Sequence, residues 1–304
     1  MGAVAGAGLG AFDMVDLRKF ESWLVQQNRS RYTVRGYLAD CREFFRWFTS
    51  NPLTVTRKDL DAYLQVLRER VGRNGKISPK TINKKVNGIS AFFNFLVYTD
   101  AIKASPRAGL KLPKSGKREV IPLTRAEIEK MRAVPAHTFR QKLDALVLEL
   151  FYASGCRLGD LETVKLKDYN PQTRSFVVIA KGNKQLTKRL TVGAAAMLSE
   201  YLTIVPESEG CHLLRYEDGA TYPRNQIFLS IKRIAKKALP GKRVYPHLMR
   251  HSSITHRYEM GEDIRALQKF AGHSSIQTTT GYTAVSEKIE QEQMDKFDPD
   301  GGKA

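Results

Sequence analysis

Six residues in the second half of the chain carry the side-chain types that phosphoryl transfer needs. Arginine holds phosphate oxygens through paired hydrogen bonds, and histidine exchanges protons near neutral pH. Lysine can protonate a departing oxygen, and tyrosine can attack phosphorus to form a covalent intermediate. The residues with these groups are Arg157, Lys181, His247, Arg250, His273 and Tyr282. They form a complete inventory for this chemistry without a metal ion or ATP.

The segment that contains the tyrosine, FAGHSSIQTTTGYT, has no Asp, Glu, Lys or Arg although the chain is strongly basic. An ordinary tyrosine has a pKa of about 10, so a base or cationic neighbours must activate it. An uncharged segment brings Tyr282 to an anion without presenting carboxylates. If Tyr282 is a nucleophile, the composition of QTTTGYT suits one that is switched in and out of position, and Ser274 or Ser275 would cap a short helix.

Each of these residues also has an ordinary structural interpretation. Arg157 would pair with Asp160 on the surface, and Lys181 would be a solvated turn lysine. His247 would cap its helix or lie hydrogen-bonded in the core. Tyr282 would be a half-buried aromatic with a wet hydroxyl. The functional interpretation therefore depends on the residues occurring together.

The charge balance favours a polyanionic partner. The 50 Lys and Arg residues exceed the 31 Asp and Glu residues, which gives a formal charge of +19. Such a partner is DNA, RNA or an anionic membrane, and the alternative is a solubility device or a ribosome-like tail. The basic residues are spread along segments that look folded instead of lying in one tail, and this distribution favours nucleic acid. Three cysteines without a CxxC pair predict a reducing, cytoplasmic compartment. The apolar N-terminal run lacks a basic region and is too short to span a bilayer.

The first part of the chain predicts a helical domain over residues 13–105, preceded by a flexible tail at 1–12. It contains about four helices with apolar faces and basic residues elsewhere. Thr56 is predicted to cap one helix, and Ser78 with the following proline to begin another. The loop VGRNGKI separates these two helices. Residues 106–122 are rich in Pro, Gly and Lys and predict a basic linker.

The second domain is predicted over residues 123–284. It opens with a capping box at Thr124, and the apolar run LDALVLELFYASG predicts its central helix. Two strand-like runs around Gly182 and Asn183 predict a β-hairpin, and the other segments return to helix. Residues 285–304 form a polar helical tail. The predicted fold class is mainly α with a small β-hairpin or sheet, in two domains.

Four motifs occur in a fixed order and resemble a known family. SGCRLGDLETVKLKDY, VVIAKGNKQ, HLMRH and AGHSSIQTTTGYT look like the conserved boxes of the tyrosine recombinases, or phage-type integrases, and most of all their Xer-like branch. The helical first domain and the linker resemble the family's core DNA-binding, SAM-like domain and its tether. One box alone would be weak evidence, but four in order at compatible spacing are strong.

The resemblance implies a role for each motif residue. Tyr282 attacks the scissile phosphate, and Arg157 and Arg250 hold it. His247 acts as general acid and base, and Lys181 protonates the leaving 5′-oxygen. No cofactor is implied.

The remaining motif residues have supporting roles under the same resemblance. His273 donates a hydrogen bond to the phosphate, while Asp160 and His251 support the arginines and the box. Met249 stands where the family usually has Leu, a packing change that costs under about 1.5 kcal/mol. His247 and His251 also have the i, i+4 spacing of zinc ligands, but the glutamate of a HExxH motif is absent.

The resemblance also implies the partners of the reaction. These are double-stranded DNA with an inverted-repeat recombination site and a tetramer on two such sites, with or without a partner recombinase. The expected location is the cytoplasm, at the nucleoid. The tail would be exchanged with a neighbouring subunit or docked on its own domain.

Two segments of the first domain are candidates for groove contact, because arginine and asparagine read base edges and lysine binds phosphate. A solvated helix face is an equal alternative for each residue. The candidates are Arg31, Arg35, Lys80, Asn83, Lys84 and Asn87.

Three other classes compete with a recombinase. A type IB topoisomerase uses similar chemistry but reseals the same strand. A non-catalytic DNA-binding relative would have lost one of the six residues, and none is missing. A metal-dependent nuclease needs clustered carboxylates, and the sequence has no recognisable cluster.

Overall fold

A computed structural model of the chain describes most of its residues, and they form two compact units that divide between residues 118 and 119. Both units are mainly helical, and the second contains a small sheet, so the predicted fold class is confirmed. The division falls inside the predicted linker, while the other domain boundaries stay predictions. The backbone is described for residues 11–72, 75–116, 120–180 and 184–272, and the side chains for the same residues except 11–16, 180 and 184.

The described part of the first unit contains four α-helices. Thr56 accepts a hydrogen bond from the backbone N–H of Asp59, whose carboxylate accepts in return from Thr56, so the predicted cap of the third helix is confirmed. Ser78 likewise accepts from the N–H of Thr81. The segment predicted as a loop instead pairs β1 (Val71–Gly72) with β2 (Gly75–Lys76). The helices are α1 (Ala11–Gln26), α2 (Arg31–Trp47), α3 (Arg57–Glu69) and α4 (Pro79–Tyr98).

Aromatic rings form the core of this unit. The ring of Phe44, which is fully buried on α2, lies 5.0 Å from the ring of Tyr63 and 6.0 Å from that of Trp47. Trp23 packs in the same unit against Phe95, at 5.8 Å between centroids. Edge and tilted contacts of this kind add to the stabilisation from burial. The chain has two tryptophans, so both lie in this unit.

The second unit has seven described helices and a three-stranded antiparallel sheet. The sheet consists of β3 (Tyr169–Asn170), β4 (Ser175–Ala180) and β5 (Lys184–Arg189) in this order. The pairing of β4 with β5 confirms the predicted hairpin. The capping box predicted at Thr124 is present. The short β3 and α7 were not predicted. The elements are α5 (Arg125–Arg132), α6 (Phe139–Ser154), α7 (Leu158–Thr163), β3 (Tyr169–Asn170), β4 (Ser175–Ala180), β5 (Lys184–Arg189), α8 (Val192–Leu202), α9 (Arg224–Ala238), α10 (Pro246–Glu259) and α11 (Ile264–Ala271).

Helix α6 is the central element of this unit, as its apolar sequence predicts. It packs against α8, α9 and α10, and most of its residues are buried. Its one buried carboxylate, Asp144, accepts hydrogen bonds at 2.6 and 2.5 Å from two nitrogens of Arg233 on α9. A paired arginine–carboxylate contact satisfies a charge that would otherwise be costly to bury. This contact therefore fixes α9 against the central helix.

Helix α10 holds the irregular segment that precedes α5 at the start of the second unit. The Oγ of Ser252 accepts from the N–H of Leu123 at 2.8 Å, and Nε2 of His256 donates to the carbonyl of Leu123 at 2.7 Å. Both side chains are buried, so these bonds are shielded from water. None of the described helices is both long and apolar enough to cross a membrane.

We expect Phe44→Ala to destabilise the first unit by about 3–5 kcal/mol, because it removes a fully buried ring and leaves a cavity. Tryptophan fluorescence during urea unfolding of the whole chain reports this unit alone. The control is Val25→Ala, an exposed position on α1 (59%), which should change stability by less than about 0.5 kcal/mol. Equal midpoints for the two variants would contradict the role given to Phe44.

Candidate active site

The carboxyl ends of α6 and α11 meet, and a left-handed glycine ends each helix. Gly155 follows α6 with a φ of 56°, and Gly272 follows α11 with a φ of 61°. A Cβ on Gly155 would lie 2.6 Å from the ring of Phe270, and one on Gly272 would lie 2.4 Å from Leu186. Both positions therefore need glycine for conformation and for space. The terminal carbonyls of both helices lie close together as hydrogen-bond acceptors.

Arg250 bridges these two helix ends from α10. Its side chain is 1% exposed, and its guanidinium donates to the carbonyls of Gly155 and Ala271. A buried cation needs such acceptors, and the negative ends of two helix dipoles add favourable charge. Arg250, the second arginine of the predicted catalytic set, is thus held in one position by hydrogen bonds to two helix ends.

Arg157 is the N-cap residue of α7, and only Gly155 and Cys156 separate it from the end of α6. Its backbone N–H donates to the carboxylate of Asp160 at 2.9 Å, so the acid holds the main chain at this position. Among the described side chains, Asp160 forms no ion pair with the Arg157 guanidinium within 4.0 Å. The exposed side chain extends to α11, where Nη2 donates to the carbonyl of Gly272 at 3.3 Å. Arg157 and Arg250 are thereby brought together at the last turn of α11.

The two histidines of HLMRH lie on α10 with different surroundings. His247 is exposed in the first turn, one helical turn before Arg250. Nε2 of His251 donates to the carbonyl of Val120 at 2.7 Å, and burial lowers the pKa of this imidazole from its usual value. Met249 between them is fully buried, as expected for a packing position. Across the described part of the chain, no three His, Cys, Asp or Glu side chains are grouped to hold a metal.

A buried lysine that the motif analysis missed lies beside the arginines. Lys188 on β5 stands opposite Phe176 of β4 and is 2% exposed. Its Nζ donates to the carbonyl of Phe270. Burial and, next, the charge of Arg250 lower the pKa of this lysine to about 8. The burial of this lysine could have been predicted from strand alternation, because side chains two residues apart point to the same face of a strand. In LTKRL, Lys188 stands between two leucines on the inward face.

Three of the six predicted catalytic residues lie outside the described residues. In the sequence, Lys181 lies between the residues of β4 and β5, His273 directly follows Gly272, and Tyr282 comes nine residues after His273. The predicted helix cap at Ser274 or Ser275 and the tail at 285–304 also lie outside. Their roles stay predictions.

The candidate DNA-reading residues lie on two helices that pack together, α2 and α4. Asn83 differs from the others, because it is half-buried and its Nδ2 donates to the carbonyl of Pro113 at 3.1 Å. Nζ of Lys84 lies 3.9 Å from the position of a Cβ on Gly36, so this lysine reaches α2. The exposed members of the set are Arg31, Arg35, Lys80, Lys84 and Asn87.

The lowered pKa of Lys188 predicts a pH-dependent stability. The folded lysine loses its proton near pH 8, whereas the unfolded one keeps it to about 10.5, so the free energy of unfolding should rise with pH between these values. Between pH 7 and 9 this contribution amounts to about 1 kcal/mol. The difference in stability between the wild type and Lys188→Met, measured by urea unfolding with far-UV circular dichroism, isolates it. Identical pH profiles for the two proteins would contradict the prediction.

Comparisons with known proteins agree with the geometry. The profile of the phage integrase family matches residues 122–288, and that of the phage integrase N-terminal SAM-like domain matches residues 17–103. A tyrosine recombinase XerC from Natranaerobius thermophilus is 30% identical over 288 residues, which is 90% of this chain and 95% of the relative.

Two solved structures share the fold. The Tn1549 transposon integrase in complex with transposon right end DNA has a TM-score of 0.69 at 18% identity, covering 92% of this chain and 99% of that one. The XerH recombinase bound to palindromic difH substrate has a TM-score of 0.68 at 17% identity, covering 90% and 84%. The profile matches and the long alignment to XerC decide the family. The chain belongs to the phage integrase family and is a tyrosine recombinase of the Xer-like kind.

Proposed function

We propose that this recombinase cleaves and rejoins DNA through a covalent 3′-phosphotyrosyl intermediate on Tyr282. The observation that carries the proposal is the convergence of Arg157 and Arg250 on the last turn of α11, directly before the segment with His273 and Tyr282. Two guanidinium groups side by side suit the non-bridging oxygens of one phosphate. The tyrosine nine residues beyond is the nucleophile.

The reaction exchanges one phosphoester bond for another. The Tyr282 oxygen bonds to phosphorus, the bond from phosphorus to the 5′-oxygen breaks, and Lys181 gives a proton to that oxygen. His247 takes the tyrosine proton. A 5′-hydroxyl of a second duplex then attacks the phosphotyrosine and gives its proton to Lys181, while the bond from phosphorus to the Tyr282 oxygen breaks and His247 returns the proton to that oxygen. No hydrolysis and no ATP are involved, because the number of phosphoester bonds is unchanged.

The arginines supply most of the transition-state stabilisation. The pentacoordinate phosphorus carries extra negative charge, and preorganised cations meet this charge without having to reorganise. Arg250 is held in place by two helix ends, and the amide of Arg157 is held by Asp160. His273 would add a hydrogen bond to the same phosphate. The preorganisation of the described arginines thus supports the reaction that the motifs imply.

The partner is double-stranded DNA with an inverted-repeat site, bound by both units. The Tn1549 integrase structure is a complex with transposon right end DNA, and the XerH structure is bound to a palindromic difH substrate, which supports this assignment. Exchange between two duplexes needs several active sites, so we assign a tetramer bound to two DNA sites. The tetramer consists of four copies of this chain or, as an alternative, of this chain together with a partner recombinase. Exchange of the tail 285–304 between subunits and the cytoplasmic location are further parts of this proposal.

We expect Tyr282→Phe to abolish covalent adducts while DNA affinity stays within about threefold. Protein is incubated with a library of labelled, nicked duplexes in EDTA, denatured in SDS, and the linked DNA is sequenced. Tyr98→Phe, at an exposed tyrosine (69%), is the control and should form adducts at the wild-type rate. Arg157→Ala should slow adduct formation on the order of 10²–10³-fold.

The same experiment separates the competing activities. Adducts without a shared sequence, together with relaxation of any supercoiled plasmid, would indicate a topoisomerase. Salt-sensitive binding without adducts from the wild type would contradict the proposed chemistry and favour a non-catalytic relative.

We expect the double variant Lys80→Gln, Lys84→Gln to bind DNA more weakly and with less dependence on salt. Each lost phosphate contact lowers the slope of log K against log salt by about 0.9, so the slope should fall by about 2. Binding is measured by fluorescence anisotropy at several salt concentrations. Lys58→Gln removes an exposed lysine from α3 and serves as the control. An unchanged slope in the double variant would assign these lysines to a solvated surface.

A further inference from the structure

Three consecutive carbonyls at the end of α11 each accept a hydrogen bond from a different basic side chain. Nζ of Lys188 donates to Phe270, Nη2 of Arg250 to Ala271 and Nη2 of Arg157 to Gly272. The three donors come from β5, α10 and the start of α7. Helix ends are ordinarily completed by one or two local bonds, so three cations from three elements on successive residues need an explanation.

We propose that Lys188 is a positioning residue of the active site, which with the two arginines fixes the last turn of α11 and hence the point from which the His273–Tyr282 segment leaves. This inference rests on the proposed function of Tyr282. Lys188 is 2% exposed, and its amine is hydrogen-bonded to the carbonyl of Phe270. It acts through the backbone of Phe270, one residue before the carbonyl that Arg250 holds.

Stability alone does not account for a lysine at this place. The side chain is buried next to the positive charge of Arg250, and the position belongs to an inward strand face between leucines. An apolar residue of the same length would fill the space without desolvating a charge. A residue that costs stability where a simpler one would serve is typical of functional sites.

Charged and titratable groups from several neighbouring segments act on the Lys188 amine. Arg250 and Arg157 disfavour its protonated form, while Asp160 and Cys156 favour it. The ring of Phe270 contributes as well, because its centroid lies 5.3 Å from Nζ. Burial is the largest influence and lowers the pKa of the amine to about 8, so its hydrogen bond to the helix end weakens as the charge is lost above that pH.

Three variants of the full-length protein test the role. Lys188→Met keeps the length of the side chain and removes the charge. Lys188→Arg keeps the charge and does not titrate in the same range. Arg189→Met removes a neighbouring cation from the exposed face of the same strand and is the matched control. Each is measured for adduct formation on the nicked duplex between pH 6.5 and 9.5, and for amide hydrogen exchange across α11 without DNA.

We expect Lys188→Met to keep its fold at pH 7 and to form adducts about 10- to 100-fold more slowly, since small misplacements of reacting groups have effects of this size. The ratio of wild-type to Lys188→Met rates should fall above about pH 8, where the wild-type lysine loses its proton. Lys188→Arg should recover part of the rate of adduct formation. The ratio of its rate to that of Lys188→Met should stay constant as the pH rises. The α11 amides should exchange faster in Lys188→Met alone.

The outcomes separate this inference from the proposed function. Absence of adducts from the wild type would refute the function, while hydrogen exchange across α11 would still test the role of Lys188. Wild-type rates and wild-type exchange in Lys188→Met would overturn the inference and leave the function intact. Unfolding of Lys188→Met at pH 7 would also overturn it, because the lysine would then be needed for stability rather than position.

Discussion

The arrangement of the second unit follows from the need to satisfy one buried guanidinium. Arg250 is enclosed by protein, so its N–H groups require acceptors at fixed positions. The carbonyls of Gly155 and Ala271 meet this need only where α6 and α11 both stop beside α10. Left-handed glycines at both ends permit the stop, and they allow the close contacts of Gly155 with Phe270 and of Gly272 with Leu186. The position of one charge therefore sets where two helices end.

Helix α10 has two roles on its different faces. One face holds the backbone of the segment that opens the unit, through Ser252 and His256, and His251 adds a bond to Val120. The other presents Arg250 to the two helix ends. A substitution in the opening segment can therefore reach the arginine through a rigid helix, without touching the site itself.

Helix caps and the fold class were predictable because they depend on local chemistry. Thr56, Ser78 and Thr124 carry short-range signals that tertiary packing does not override. The six-residue α7 and the two-residue β3 are too short to show a period, and the small hairpin before α4 was interpreted as a loop for the same reason. The environment of Lys188 is formed by residues from several other elements, among them Phe270 and Arg250. Strand alternation indicates that the side chain faces inward, but no local sequence pattern predicts which residues it meets there. The half-buried state of Asn83 likewise depends on its contact with Pro113, far along the chain. Roles for Tyr282, Lys181 and His273 came from the resemblance to a family and not from geometry.

The contact between Arg157 and Gly272 differs from its two neighbours in length and exposure. It spans 3.3 Å and lies at the surface, whereas the donors to Phe270 and Ala271 are buried. An incoming anion can replace the Gly272 carbonyl as the hydrogen-bond acceptor of the Arg157 guanidinium. Because one acceptor replaces another, the exchange avoids desolvating an unpaired charge. The backbone oxygen that is released belongs to the residue just before His273. Anion binding at Arg157 and the hydrogen bond to Gly272 are then competing equilibria, so a factor that favours one weakens the other by the same free energy.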